Sequence, residues 1–205
     1  LVGHSTTGTL NAATSNVGVG LDALDALTSG DYNTAVGAGA GTALTSGTLN
    51  TAMGFNSMQV NSSSDNNTAY GYNSLNATTG NNNTGVGARA ADYVAGGSSN
   101  TSVGYTALSA VTSTSGSTAL GSEALDTATG TNNLGLGYQA GDNITSGSGN
   151  VIIGSINADS ATGDRQLMIT GYDGSTTTTW ISGDSSGNVI HAGTTHSAGG
   201  QLTTT

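Results

Sequence analysis

The chain has no cysteine and no proline, only two strong cations, and one tryptophan and one phenylalanine among 205 residues. Without cysteine there is no disulfide framework and no thiolate metal site. The two cations, Arg89 and Arg165, stand without a lysine against twelve acidic residues, for a formal charge of −10. Nucleic-acid binding needs a basic stripe to neutralise phosphates, and an anionic lipid surface needs the same, so both are excluded as partners. No apolar run is long enough to span a bilayer and no stretch reads as a secretory signal, so membrane insertion is not expected. Aromatic residues make up 4% of the chain and glycine supplies 34 positions, which does not suit an ordinary compact core. The lack of proline and of a three-residue glycine period excludes collagen, and 7% charged residues is too few for a typical disordered chain. The net negative charge is read as keeping a polar, exposed rod soluble.

What is present is a repeat. A glycine that follows an apolar residue returns at Gly3, Gly20, Gly37, Gly54, Gly71, Gly87, Gly104, Gly121, Gly137 and Gly154, in steps of 16 or 17. A unit that short cannot bury a core alone and must stack on its neighbours, which predicts a thin parallel β-solenoid. Aligned on that glycine, Asn33-Thr34-Ala35-Val36-Gly37, Asn50-Thr51-Ala52-Met53-Gly54, Asn67-Thr68-Ala69-Tyr70-Gly71 and Asn83-Thr84-Gly85-Val86-Gly87 share one pattern. Alternation along a strand puts Thr34 and Val36 on one face and Asn33, Ala35 and Gly37 on the other. The apolar column is expected to line a buried seam, with Thr34 inside beside it. The Ala/Gly column is expected where another backbone approaches closely. A second apolar segment, Ala40 to Leu44 and its equivalents, predicts a second short strand. Turn glycines Gly30, Gly47, Gly80, Gly97, Gly130 and Gly147 mark the corner after it, and the one-residue deletions precede them. At one strand spacing per coil, ten coils make a rod of about 45–50 Å.

The asparagines that open the strands, Asn33, Asn50, Asn67, Asn83, Asn100, Asn133 and Asn150, predict a side-chain ladder along the rod. The position after the periodic glycine carries Phe55, Tyr72, Tyr105 and Tyr138, candidate contacts for a surface glycan or packing groups between chains. Asp22 with Asp25, and Glu123 with Asp126, have the residue types of an acid/base pair but sit at ordinary repeat corners, so no enzyme activity is expected. His4, His191 and His196 have no nucleophile arrangement around them. No calcium-roll spacing occurs, and no metal or cofactor is expected. Glycine pairs such as Gly18 and Gly20 lack the strand-turn-helix setting of a dinucleotide loop. A flat threonine array could order water at ice, but a threonine column turned inward could not.

These repeats resemble the head repeats of YadA-type trimeric autotransporter adhesins, whose short apolar-Gly repeats form a left-handed parallel β-roll packed as a trimer. They are similar as well to repeats of bacteriophage tail-fibre proteins, which have this longer period and form trimeric shafts. The resemblance spans residues 1–158 and implies a homotrimer of rolls, each of about ten 16–17-residue coils. No heptad stalk comes after the repeats, whereas adhesin heads lead into one. The segments Arg165-Gln166-Leu167-Met168-Ile169-Thr170-Gly171 and Thr179-Trp180-Ile181-Ser182-Gly183 instead resemble the stretch that succeeds such repeats in tail fibres of marine phages. The resemblance therefore implies a virion tail fibre, extracellular, associated with other fibre or virion proteins and with a host surface glycan. The other implied home is a bacterial cell surface, as the head of an adhesin.

After Gly154 the period is lost, and 166–170, 176–182 and 188–192 read as strands of a small β-meander, within 159–193, that caps the rod and joins chains. Trp180 is expected to pack against Ile181 and Ile190. Residues 194–205 read as an extended tail. The opening Leu1-Val2-Gly3 falls inside a repeat, as in a piece of a longer protein.

Overall fold

The structure, a computed structural model, describes residues 13–109 and 113–191, and these are all-β with no helix. Nine three-residue strands recur along the repeat: β1 (Val17–Val19), β2 (Thr34–Val36), β3 (Thr51–Met53), β4 (Thr68–Tyr70), β5 (Thr84–Val86), β6 (Thr101–Val103), β7 (Thr118–Leu120), β8 (Leu134–Leu136) and β9 (Val151–Ile153). Each pairs in parallel with the next, and the register is column on column: Thr34 opposite Thr51, Ala35 opposite Ala52, Val36 opposite Met53. A parallel neighbour one coil away is the residue 16 or 17 positions on, so the period in sequence becomes a stack of like side chains in space. The chain is a β-solenoid of about nine turns. Gly3, His4, His196 and the 194–205 tail lie outside the described residues.

The two strand faces are the reverse of the sequence expectation. The middle residue of each strand, Ala35, Ala52, Ala69, Ser102, Ala119 or Ile152, is fully or nearly fully buried inside the coil. The threonine and apolar columns on either side of it point outward, as the partly exposed flanks of every strand show. The reason is volume. The interior is already filled from the opposite side of the coil by Leu24, Leu27, Leu44, Met58, Leu75, Leu108, Leu125 and Ile144. Only a methyl, hydroxymethyl or hydrogen then fits beneath the strand. At Gly85 even a Cβ would lie 2.6 Å from Ser74 Oγ and 3.0 Å from Leu75 Cγ. Where the strand does carry a large inner residue, Ile152, the opposite wall thins to Gly141, whose missing Cβ would sit 3.3 Å from Ile152 Cγ1.

That opposite wall is not the second strand the sequence suggested. It is a turn-rich segment with every second residue in the left-handed region: Asn56 and Met58, Asn73 and Leu75, Thr106 and Leu108, Glu123 and Leu125, all with φ between 48° and 60°. It is nonetheless tied coil to coil, as by the Leu24 and Ala26 amides donating to Ala40 and Thr42 carbonyls, both at 3.1 Å. Left-handed Leu and Met are sterically costly. Here the conformation bends the wall around the core while the leucine side chain is buried, and burial of one leucine contributes about 1.5–3 kcal/mol.

The loss of period after Gly154 is a loss of residue identity and not of the coil. β10 (Leu167–Tyr172) begins in parallel with β9, Leu167 opposite Val151 and Ile169 opposite Ile153. Gln166 takes the asparagine place, its amide N–H donating to Asn150 Oδ1 at 2.8 Å. The second half of β10 then turns from the solenoid into the meander, pairing antiparallel with β11 (Thr177–Gly183), which pairs with β12 (Val189–His191). The meander thus extends one continuous 12-stranded sheet. Trp180 does not share a cross-strand position with either expected partner: Ile181 lies opposite Ile169 and His191, and Ile190 opposite Ser182. Its indole lies over Gly171.

Candidate interaction surfaces

The repeat glycines and asparagines form the inner frame on which any surface is carried. Gly20, Gly37, Gly54, Gly71, Gly87, Gly104, Gly121 and Gly137 have φ between 132° and 141°, and Gly154 109°. Each stands over the backbone of its counterpart in the next coil, or for Gly154 over Thr170. Asn33, Asn50, Asn67, Asn83, Asn100, Asn133 and Asn150 are buried. The Oδ1 of each accepts the backbone N–H one coil later, as in Asn33 to Asn50 and Asn83 to Asn100, both 3.0 Å. The Nδ2 of Asn33, Asn83 and Asn133 reaches across the coil to the carbonyl of Gly47, Gly97 and Gly147, at 2.8–2.9 Å. One side chain therefore binds the strand entry to the opposite corner. The amides are spent on bonds within the rod, so the ladder offers no ligand set for an ion.

The outward strand face is a different matter. From β1 to the first half of β10 its two columns contain only threonine and apolar residues: Val19, Val36, Met53, Tyr70, Val86, Val103, Leu120, Leu136, Ile153 and Ile169 in the longer apolar one. No charge interrupts it over ten strands, a length of about 43 Å at one strand spacing per coil. Monomeric proteins rarely leave an apolar strip that extensive uncovered. The outward threonines correct the inward placement argued from sequence. They still do not make a flat water-ordering array, because Met53, Tyr70 and Leu120 project beside them and Leu134, Val151 and Leu167 replace the last three.

Flanking this strip, just past the periodic glycines, Phe55, Tyr72, Tyr105 and Tyr138 are each slightly more than half exposed. Phe55 and Tyr72, in adjacent coils, stack with centroids 5.9 Å apart and planes 8° from parallel. The column thus presents half-exposed rings just past the apolar strip.

The carboxylates are tied into the scaffold. Glu123 Oε2 accepts from Gln139 Nε2 at 2.6 Å, and Asp126 Oδ1 accepts from Ser109 Oγ at 2.5 Å, both bonds linking one coil to the next. Burial, then the nearby charges of Asp126 and Glu123, raises the Asp142 pKa. Among the described residues no three His, Cys, Asp or Glu side chains gather as a metal site would require. The His191 backbone is in β12, and its side chain lies outside what the structure describes.

Arg89 and Asp92 form an ion pair, Nε to Oδ2 3.1 Å, with the arginine side chain 44% exposed and the aspartate only 2%. Burial raises the Asp92 pKa above 3.8 despite the bonds from Arg89 and Asn76 that oppose it. A carboxyl whose folded pKa is raised contributes stability that is complete below its unfolded pKa and lost as pH rises through the folded one. Asp92→Asn is therefore expected to raise the melting temperature at neutral pH, since it removes a buried charge and leaves only an exposed arginine unpaired. The gain should vanish below about pH 4, where the native carboxyl is itself neutral. Thermal melts at the two pH values check this, and a variant less stable at neutral pH contradicts it.

Two features emerge only with the structure. Ser117 stands in the asparagine ladder, accepting from Asn133 N at 3.2 Å, and the corner facing it is Thr114 instead of glycine, with the two hydroxyls 3.0 Å apart. Its trace in the sequence is a paired exchange in one coil, Asn to Ser with Gly to Thr. The second is an open cleft at the β10–β11 hairpin, around Trp180, which no repeat pattern could announce. Compared with models of protein families, with curated proteins and with solved structures, the chain matches none.

Proposed function

We propose that this chain is a structural and recognitional rod: a homotrimeric fibre segment of a virion, extracellular, that displays or forms a host-adhesion surface and performs no catalysis. The observation that carries the reading is the uncharged outward strand face. A single coil stack cannot cover it, and three copies related by rotation about a common axis would bury it together while leaving the polar turn walls in water. The apolar strip runs the whole length of the repeat, so the contact would lock the rods side by side and give the stiffness a fibre needs. The aromatic column at its edge is the natural candidate for touching a host glycan.

The test is solution mass, measured by light scattering on the native chain. A mass of three chains is expected, falling to one chain when Val86→Asp and Val103→Asp place charges in the strip. Both residues point outward, so the coil should keep its β-rich circular dichroism. A stable wild-type monomer would sink the fibre reading.

A further inference from the structure

We infer that the cleft at the β10–β11 hairpin binds a neutral pyranose sugar, its apolar face on the Trp180 ring and its hydroxyls met by Asp173, Thr176 and Thr178. The cleft has a volume of about 340 Å³ and is lined by Gly171, Tyr172, Asp173, Thr176, Thr178 and Trp180. That volume is at the lower end of the range for small-molecule sites, room for one or two sugar rings. The inference rests on the adhesion role proposed for the rod and deepens it by naming a ligand and a place.

The platform is built by three local features. The register between β10 and β11 shifts at Ile169/Thr170: Ile169 faces Ile181 but Thr170 faces Thr179, so Trp180 is the extra residue with no counterpart on β10. A bulge of this kind re-aims a side chain. Gly171 then gives the indole somewhere to lie, since a Cβ there would stand 2.5 Å from Trp180 Cζ2 and 2.8 Å from Cη2. An aromatic ring laid over a strand glycine stabilises the sheet through its inner face. The ring is not buried by that role: Trp180 stays 55% exposed, with Tyr172 beside it at 54%.

The polar rim is equally set. Asp173 accepts the Ser175 and Thr176 backbone N–H groups at 2.9 and 2.8 Å, both through Oδ1, which fixes the carboxylate at the hairpin turn. Those two bonds, that from Thr176 foremost, lower its pKa and keep it ionised. A pyranose offers an apolar face of C–H groups and a perimeter of hydroxyls, and an exposed indole beside a fixed carboxylate and two threonine hydroxyls matches that division. Charge decides the class of sugar. No cation lines the cleft, its one ionised group is negative, and the chain carries −10. Sialylated or uronic-acid sugars would meet repulsion there with nothing to offset it.

Trp180 is the only tryptophan, so emission excited at the red edge, where indole but not the seven tyrosines absorbs, reports this cleft alone. The native chain would be titrated with neutral glucose, galactose and mannose oligosaccharides and, in parallel, with sialylated and uronic-acid ones. A saturable emission change with a neutral series and none with the anionic ones is expected. Asp173→Ala should weaken it about tenfold or more, the scale of one hydrogen bond to a charged group. Asp173→Asn, which keeps the Oδ1 acceptor of the turn, separates hairpin folding from sugar contact: it should retain wild-type emission without sugar and still bind more weakly. No saturable response to any neutral sugar, an equal response to anionic ones, or unchanged affinity in Asp173→Ala would overturn the site. An emission already blue-shifted and unresponsive in a three-chain assembly would do so too, because another chain would then cover the ring. Light scattering on the same samples keeps the two proposals apart: a trimer without sugar response removes only the site, and a monomer with it removes only the fibre.

Discussion

Gly87→Ala is expected to lower the stability of the chain by about 4 kcal/mol or more, at the far end of what one methyl group does in a protein. Two costs add. The residue has φ +132°, a conformation essentially reserved to glycine, and a Cβ there would lie 2.5 Å from the Gly104 carbonyl oxygen and 2.8 Å from its carbon. Neither atom can swing away, since both belong to the backbone of the next coil. In a solenoid each coil contacts only its neighbours, so displacing one strand breaks the stack at that point. Thermal melting should show a fall of about 10 °C or the appearance of two transitions. Gly96→Ala is the control: φ is +81° but nothing lies within 4 Å of the added Cβ, so only conformational strain of about 1 kcal/mol applies. Equal melting temperatures for the two variants would show that close coil-to-coil approach is not what selects the periodic glycine.

Asn83→Ala should cost about 3 kcal/mol, the next largest effect, on the scale of about 1–3 kcal/mol for each buried polar group left unsatisfied. The side chain accepts from the Asn100 backbone at 3.0 Å and from Asn100 Nδ2 at 3.1 Å, and donates to the Gly97 carbonyl at 2.9 Å. Removing it leaves the buried Asn100 N–H and Gly97 carbonyl without their partner. Asn83→Ser should recover part of the loss, because Ser117 already serves the next coil's amide from this position, but a serine cannot reach the corner carbonyl opposite. Urea unfolding of the three chains gives the order wild type, serine, alanine. An alanine variant within about 1 kcal/mol of wild type would mean that the ladder results from the stacking instead of stabilising it.

Much of this architecture is legible because the period in sequence is the period in space. Parallel in-register strands place residue i on its counterpart 16 or 17 positions later, so the glycine, asparagine and aromatic columns can be drawn from the sequence alone. The candidate surfaces are less so. Phe55 and Tyr72 can be placed in one column, but not seen to stack. The Trp180 cleft depends on a one-residue bulge, and a bulge leaves no trace in a tetrathreonine run such as Thr176 to Thr179. The continuation of the coil after Gly154 is hidden because Gln166 and Thr170 take the places of asparagine and glycine with other atoms.

By itself the sequence determined that this is a stack of short coils, which residues share a column, and which columns repeat a glycine or an amide. Only the tertiary structure decided which side of each strand is inside. Alternation assigns residues to two faces without naming the inner one, and here that choice belongs to the opposite wall. Its left-handed turns deliver Leu24, Leu75, Leu108 and Leu125 into a lumen one side chain deep. With that volume taken, alanine is what fits beneath the strand, and the valine and threonine columns are left facing outward.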